Sequence, residues 1–158
     1  MNQVVVKQEK SGYQIVEAYK SLRTNLQFCG EDKKVIAVTS CTPKEGKSSV
    51  SMQLGISLAE SGKRVILIDA DLRKSVLLGR TKTQKSVRGL AHFLSGQATL
   101  EDVICSTNVK NFYMIYSGPF PPNPAELLGG KNFRSLLNAL RKVYDYVIVD
   151  TPPLGSVI

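Results

Sequence analysis

Three short, almost wholly apolar runs constrain this chain most: VIAVT at Val35–Thr39, RVILID at Arg64–Asp69 and YVIVD at Tyr146–Asp150. A strand with one wet face alternates apolar and polar residues. These runs do not alternate, so both their faces must be covered, as in a parallel sheet packed between helices. A fourth run, Phe112–Tyr116, reads the same way. Between the runs lie helical stretches. Ser48–Glu60 is closed by Gly62, and Lys131–Val143 carries Phe133, Leu136, Leu137, Leu140 and Val143 on one stripe. The prediction is therefore an α/β fold, a parallel β-sheet flanked by helices.

Shorter helices are expected at Gly89–Leu94 and Leu100–Ile104. PPNPAELL offers Asn123 as N-cap, Pro124 in the first turn and Glu126 three residues after the cap. Near the start, Gln14–Phe28 forms an amphipathic helix with Ile15, Ala18, Leu22 and Leu26 on one stripe. Glu17, Lys20 and Arg23 recur every three residues on another face. That charged ridge suits either solvent or a neighbouring subunit.

At 158 residues, with 42 % apolar and 22 % charged residues, the chain has the length and composition of one soluble domain, and no internal repeat or linker divides it. Collagen-like, low-complexity and disulfide-scaffold classes are excluded. The formal net charge is +8, and it is concentrated. Arg73, Lys74, Arg80, Lys82, Lys85 and Arg88 lie between Leu72 and Leu100 with no acid among them. Such a segment is a solvated face or meets an anionic lipid surface, an acidic protein or a phosphorylated partner. No nucleic-acid-binding motif accompanies it, so nucleic acid is not an expected partner. Cys29, Cys41 and Cys105 are an odd number at irregular spacing, without metal-site pairs or a secretory signal, which points to a reducing cytoplasm. No window approaches the ~18 apolar residues of a membrane span.

SCTPKEGKSS follows a predicted strand and opens a predicted helix, the context a phosphate-binding loop requires. Consecutive backbone amides at a helix N-terminus can surround a β-phosphate, a lysine can neutralise β and γ oxygens, and a hydroxyl can ligate magnesium. Lys44, Glu45, Gly46, Lys47, Ser48 and Ser49 would form the cradle, with Lys47 and Ser48 in the last two roles. Against GxxxxGK(S/T) the first glycine is replaced by Cys41. Two apolar strands end in aspartate, at Asp69 and Asp150, and Asp71 follows two residues after the first. Carboxylates at strand C-termini are where open α/β sheets present ligands to a nucleotide-bound magnesium. The DxD pair also admits a base for an attacking hydroxyl beside a metal-holding neighbour. Spacing alone reaches a magnesium-dependent nucleoside triphosphate site and no further.

CTPKEGKSS resembles a Walker A loop, VILIDADLR the aspartate motif called Walker A′, and YDYVIVDTPP a Walker B strand. With EAYKSLRTNL near the start and GPFPPNPAELL in the middle, they resemble the bacterial tyrosine kinases of capsule and exopolysaccharide synthesis, from about Ser11 to the last residue. The related ParA and MinD partitioning ATPases carry a signature lysine early in the loop, where this chain has Thr42. The resemblance implies a P-loop NTPase fold and ATP-dependent, autophosphorylating protein tyrosine kinase activity that regulates polysaccharide synthesis and export, with ATP and Mg2+ as cofactors. It gives catalytic roles to Lys47, Asp69 and Asp71, and metal coordination to Ser48, Asp69, Asp71 and Asp150. Arg73 matches the arginine after the family's DxD. Glu17, Lys20 and Arg23 stand at the family's oligomerisation motif, on an element spanning 11–29. The resemblance further implies a homo-oligomer, activation by the cytoplasmic end of a transmembrane polysaccharide co-polymerase, room for a cognate tyrosine phosphatase, and a cytoplasmic protein held at the inner face of the membrane by its partner.

The sequence departs from the family at Lys44, where glycine is usual, at Lys20, where the ExxRxxR motif has arginine, and at Ser75, where proline is usual. It ends eight residues after Asp150, so the expectation is a kinase domain, 1–158, without its C-terminal strands and tyrosine-rich tail. Tyr13, Tyr19, Tyr113, Tyr116, Tyr144 and Tyr146 are scattered and read as packing residues, and His92 as a partly buried helix residue. The alternatives to a kinase are a ParA/MinD-like switch ATPase and a non-catalytic module that docks on the co-polymerase.

Overall fold

The computed structural model describes residues 1–7, 12–41, 46–72, 81–83 and 87–152, with 81–83 described as backbone. In chain order the elements are β1 (Asn2–Val6), α1 (Tyr13–Phe28), β2 (Val35–Val38), α2 (Lys47–Glu60), β3 (Val65–Asp69), β4 (Thr81–Thr83), α3 (Leu90–Leu94), α4 (Leu100–Val103), β5 (Cys105–Thr107), β6 (Phe112–Ile115), α5 (Pro124–Gly129), α6 (Lys131–Val143) and β7 (Tyr146–Asp150). The described strands form one sheet in the order β2-β7-β3-β6-β5-β1-β4. β2, β7, β3 and β6 run parallel, which is the expected frame.

The sheet is not parallel throughout. β5 is antiparallel to β6, β1 is parallel to β5, and β4 is antiparallel to β1. A connection over 108–111 is too short for a crossover, so β5 and β6 can only pair as a hairpin. Asn111 makes the turn at φ +67°, a left-handed conformation that asparagine tolerates better than most side chains.

Every residue of β3 and β7 is buried, which accounts for two of the uniform apolar runs. Leu67, Phe112, Met114 and Ile148 pack under Leu54 and Leu58 of α2. Ile66, Ile68, Ile115, Val147 and Val149 pack on the opposite face against Leu90, Leu136 and Leu140. The third run behaves differently. β2 ends the strand order, and Val35 and Ala37 are exposed, so VIAVT is not covered on both faces among the described residues.

α6 has the expected boundaries, and Leu136 and Leu140 are its buried anchors. Val143, placed on the same stripe by sequence, is exposed in the last turn. α1 departs further from expectation. It packs on α2 and buries none of its residues fully; Leu26 reaches the core edge while Ile15, Ala18 and Leu22 stay exposed. At α5 Pro124 opens the helix as expected. The Asn123 side chain does not cap a backbone amide; its Nδ2 donates to Glu126 Oε2 at 3.3 Å. No helix among the described residues is long and apolar enough to cross a membrane.

Candidate active site

The site is built where α2 begins and where β3 and β7 end. Gly46 is the N-cap of α2 at φ +78°, a left-handed conformation that glycine adopts without a Cβ penalty. The first amides of a helix have no intrahelical acceptor, and a glycine cap has no side chain to offer one. The N-terminus of this fourteen-residue helix therefore presents N–H donors and the positive end of its dipole.

Lys47 and Ser48, the first two helical residues, are buried and turn onto Asp150 at the end of β7. Lys47 Nζ lies 2.6 Å from Asp150 Oδ1, and Ser48 Oγ donates to Asp150 Oδ2 at 2.8 Å. One turn further along α2, Ser51 Oγ lies 3.2 Å from Asp150 Oδ1. The two carboxylate oxygens thus meet one ammonium and two hydroxyls. The far side of the strand end is fixed by Thr151, whose amide and Oγ1 both donate to the Val38 carbonyl, at 3.1 and 2.9 Å. Neither Ser51 nor Thr151 was named from sequence. Ser51 had a usable signal, since position i+4 from Lys47 lies on the same helix face.

Asp69 is the register partner of Asp150 across the β3–β7 ladder, so the two buried carboxylates stand on neighbouring strands and the same sheet face. The Ala70 amide donates to the Asp150 carbonyl at 2.9 Å and ties the strand ends together. The Asp71 amide donates to Asp69 Oδ1 at 3.2 Å. Asp69 therefore shapes the turn that presents Asp71, a local side-chain-to-backbone bond typical of aspartate.

Among the described residues no three His, Cys, Asp or Glu side chains converge as an all-protein metal site. Nucleotide-bound magnesium needs less, because phosphates and waters complete its octahedron around one or two protein oxygens. The Ser48 hydroxyl backed by the Asp150 carboxylate is an oxygen donor set of that kind, with Asp69 on the adjacent strand.

Gly46, Lys47, Ser48, Asp69, Asp71 and Asp150 thus lie at one end of the sheet, and half-buried Ser49 follows in the first turn of α2. Lys44, Glu45, Arg73 and Ser75 lie outside the described residues, as does most of the basic segment. The ridge on α1 is divided. Glu17 and Lys20 pair with each other at 3.2 Å, whereas Arg23 Nη1 donates to the Ser57 carbonyl of α2 at 2.9 Å. His92 is half-buried, as expected, and its Nδ1 accepts the Gly89 amide at 3.0 Å. Tyr116, Tyr144 and Tyr146 are packing residues; Tyr13 on α1 is exposed.

The AAA domain family model matches residues 33–158. The chain is 46 % identical over 142 residues to the tyrosine-protein kinase CpsD of Streptococcus pneumoniae serotype 4, which covers 90 % of this chain and 63 % of CpsD. It is 40 % identical over 143 residues to the tyrosine-protein kinase YwqD of Bacillus subtilis, covering 89 % of this chain and 60 % of YwqD. Among solved structures, the BceF tyrosine kinase domain superposes with a TM-score of 0.81 at 43 % identity, over 90 % of this chain and 57 % of that one. The chain spans about three-fifths of the length of the curated relatives CpsD and YwqD. It belongs to the AAA domain family, with a P-loop NTPase fold, and over about nine-tenths of its length it is similar to the tyrosine-protein kinases CpsD and YwqD and to the BceF tyrosine kinase domain.

Proposed function

We propose that this chain carries the nucleotide site of an ATP-dependent protein tyrosine kinase that regulates capsular or exopolysaccharide synthesis. The observation that carries the proposal is the bonded set Lys47, Ser48 and Asp150 at the N-terminus of α2, with Asp69 in register on the next strand. A helix N-terminus supplies amides for phosphate, Lys47 a mobile cation, and Ser48 and Asp150 oxygen for magnesium.

Magnesium, when bound, would neutralise charge on the transferring phosphoryl group. The chain's own residues do the rest. Lys47 would turn from Asp150 to the β and γ phosphate oxygens, and Ser48 and Asp150 would hold the metal, with the Ser48 hydroxyl still donating to Asp150 Oδ2. Asp69 holds the turn that aims Asp71, and the carboxylate pair accepts the proton of the attacking tyrosine hydroxyl. Lys44 and Glu45 complete the cradle with Gly46 and Ser49. In the same proposal α1, with Glu17, Lys20 and Arg23, is the oligomerisation element, and the activating partner is the cytoplasmic end of a polysaccharide co-polymerase that holds the chain at the membrane. A cognate phosphatase would reverse the modification.

The test is transfer of label from γ-labelled ATP to tyrosine in the presence of the activating segment. The expected result is phosphotyrosine formation that is lost in Lys47→Met. Release of free phosphate without phosphotyrosine would instead indicate a switch ATPase.

A further inference from the structure

Ser51 lies outside the loop motif, yet its hydroxyl rests against the same carboxylate. Oγ is 3.2 Å from Asp150 Oδ1 and 3.1 Å from the Lys47 carbonyl oxygen, and the side chain is fully buried. A hydroxyl has one proton and can donate to only one of these acceptors at a time. The Lys47 carbonyl, four residues back in the helix, already receives the Ser51 amide and does not depend on the hydroxyl. Asp150 Oδ1 is in a different position. Among the described residues its cation is Lys47, and a carboxylate only 1 % exposed has no other described cation beside it when that lysine turns elsewhere.

We propose that Ser51 is a positioning residue: its hydroxyl proton moves from the Lys47 carbonyl to Asp150 Oδ1 when Lys47 leaves. Asp150 then keeps a donor on each oxygen, Ser48 on Oδ2 and Ser51 on Oδ1, and holds its orientation while the site is loaded. Both acceptors are within reach of one Oγ position, so rotation about the Cβ–Oγ bond suffices. The role in loading rests on the nucleotide site proposed above; the exchange of partners does not, because removing the Lys47 amine should provoke it without any ligand.

The experiment is a double-mutant cycle on the ligand-free chain, read as unfolding constants in urea. Ser51→Ala should raise the unfolding constant about threefold in the parent and tenfold or more in Lys47→Met, since the hydroxyl then serves an otherwise orphaned charge. Equal factors in both backgrounds overturn the proposal; Lys47→Gln repeats the cycle if Lys47→Met does not fold. Ser51→Thr and Ser51→Val share a shape and differ in the hydroxyl. Valine should reproduce the unequal factors expected for alanine and threonine should give nearly equal ones, and identical behaviour of the two reduces Ser51 to packing. Calorimetry with Mg-ADP is the second arm, in which Ser51→Val should bind about tenfold more weakly than Ser51→Thr, or ~1.4 kcal/mol. A coupled cycle in a chain that does not bind Mg-ADP upholds the proton exchange and overturns the nucleotide site. Binding with a flat cycle upholds the site and overturns the role of Ser51.

Discussion

Lys47 Nζ lies 2.6 Å from Asp150 Oδ1, with both side chains withdrawn from solvent, so the start of α2 and the end of β7 are joined by a buried ion pair. Removing one partner of such a pair strands the other as an uncompensated charge, at a cost of about 3–5 kcal/mol, whereas removing both leaves no orphan. Lys47→Met and Asp150→Asn should therefore each lower the ligand-free unfolding free energy toward that range, reduced by the donors that remain on each partner. The double variant should lose less than the sum. Urea denaturation at pH 7 reads all four corners. Calorimetry on the same proteins should show Mg-ADP binding only in the parent. Single variants as stable as the parent would show that the pair contributes nothing net.

Two glycines hold their neighbours too close for a side chain. A Cβ on Gly55 of α2 would stand 2.5 Å from Phe112 Cε1, and Phe112 is among the largest fully buried side chains. Gly55→Ala should cost about 1–3 kcal/mol through overpacking, and Phe112→Leu in the same chain should restore part of it. A Cβ on Gly89 would stand 2.3 Å from the Gly118 amide nitrogen and 2.7 Å from the Tyr116 carbonyl oxygen. Backbone cannot rotate aside as a ring can, so Gly89→Ala should be the more damaging change. Equal midpoints for Gly89→Ala and the parent in urea would refute the close approach.

How far the sequence could be read followed from where the controlling interactions lie. β3, β7 and α6 were legible to within a residue because their apolar residues are fixed by burial, which periodicity reports directly. Asp69 and Asp150 were legible for the same reason, since each ends an apolar run. β1, β4 and β5 were missed. CST and TKT carry no periodic apolar signal, and these strands exist through pairing with distant partners, as in Asn2↔Cys105 and Val4↔Thr83. Arg23 shares a helix spacing with Glu17 and Lys20, but spacing does not say which residue reaches the next helix, and Arg23 is the one bonded to Ser57. Ser51 was unreadable as part of the site because a serine in mid-helix becomes informative only when β7 brings Asp150 against it.

The three cysteines should separate by reactivity. Cys29 and Cys41 are exposed, whereas Cys105 is buried in β5 and its thiol is pushed up to about 11 by that burial. The thiolate is the reactive form. At pH 8 a chromogenic disulfide reagent should titrate Cys29 and Cys41 in the folded chain and reach Cys105 only after unfolding. Rapid native labelling at Cys105, located by peptide mapping, would contradict the burial of β5.

Tyr144 gives the fold an alkaline limit. Its ring meets Tyr113 edge-on with centroids 5.4 Å apart, and Arg64 lies 5.3 Å from its centroid. Burial, and then the neighbouring Tyr113, raise its pKa above the ordinary tyrosine value, while Arg64 pulls the other way. The unfolded phenol ionises near pH 10 and the folded one only above that, so at high pH the unfolded state holds fewer protons and stability falls as pH rises. The contribution is complete below about pH 10 and disappears as pH climbs through the raised folded value. Tyr144→Phe keeps the ring against Tyr113 and Arg64 and removes the ionisation. Its stability should match the parent at pH 7 more closely than a truncation would, and should fall less steeply between about pH 9 and 11. Some slope should persist, because burial also raises the pKa of Tyr146. Urea midpoints across that range check the difference, and parallel curves for parent and Tyr144→Phe would remove Tyr144 from the account of alkaline unfolding.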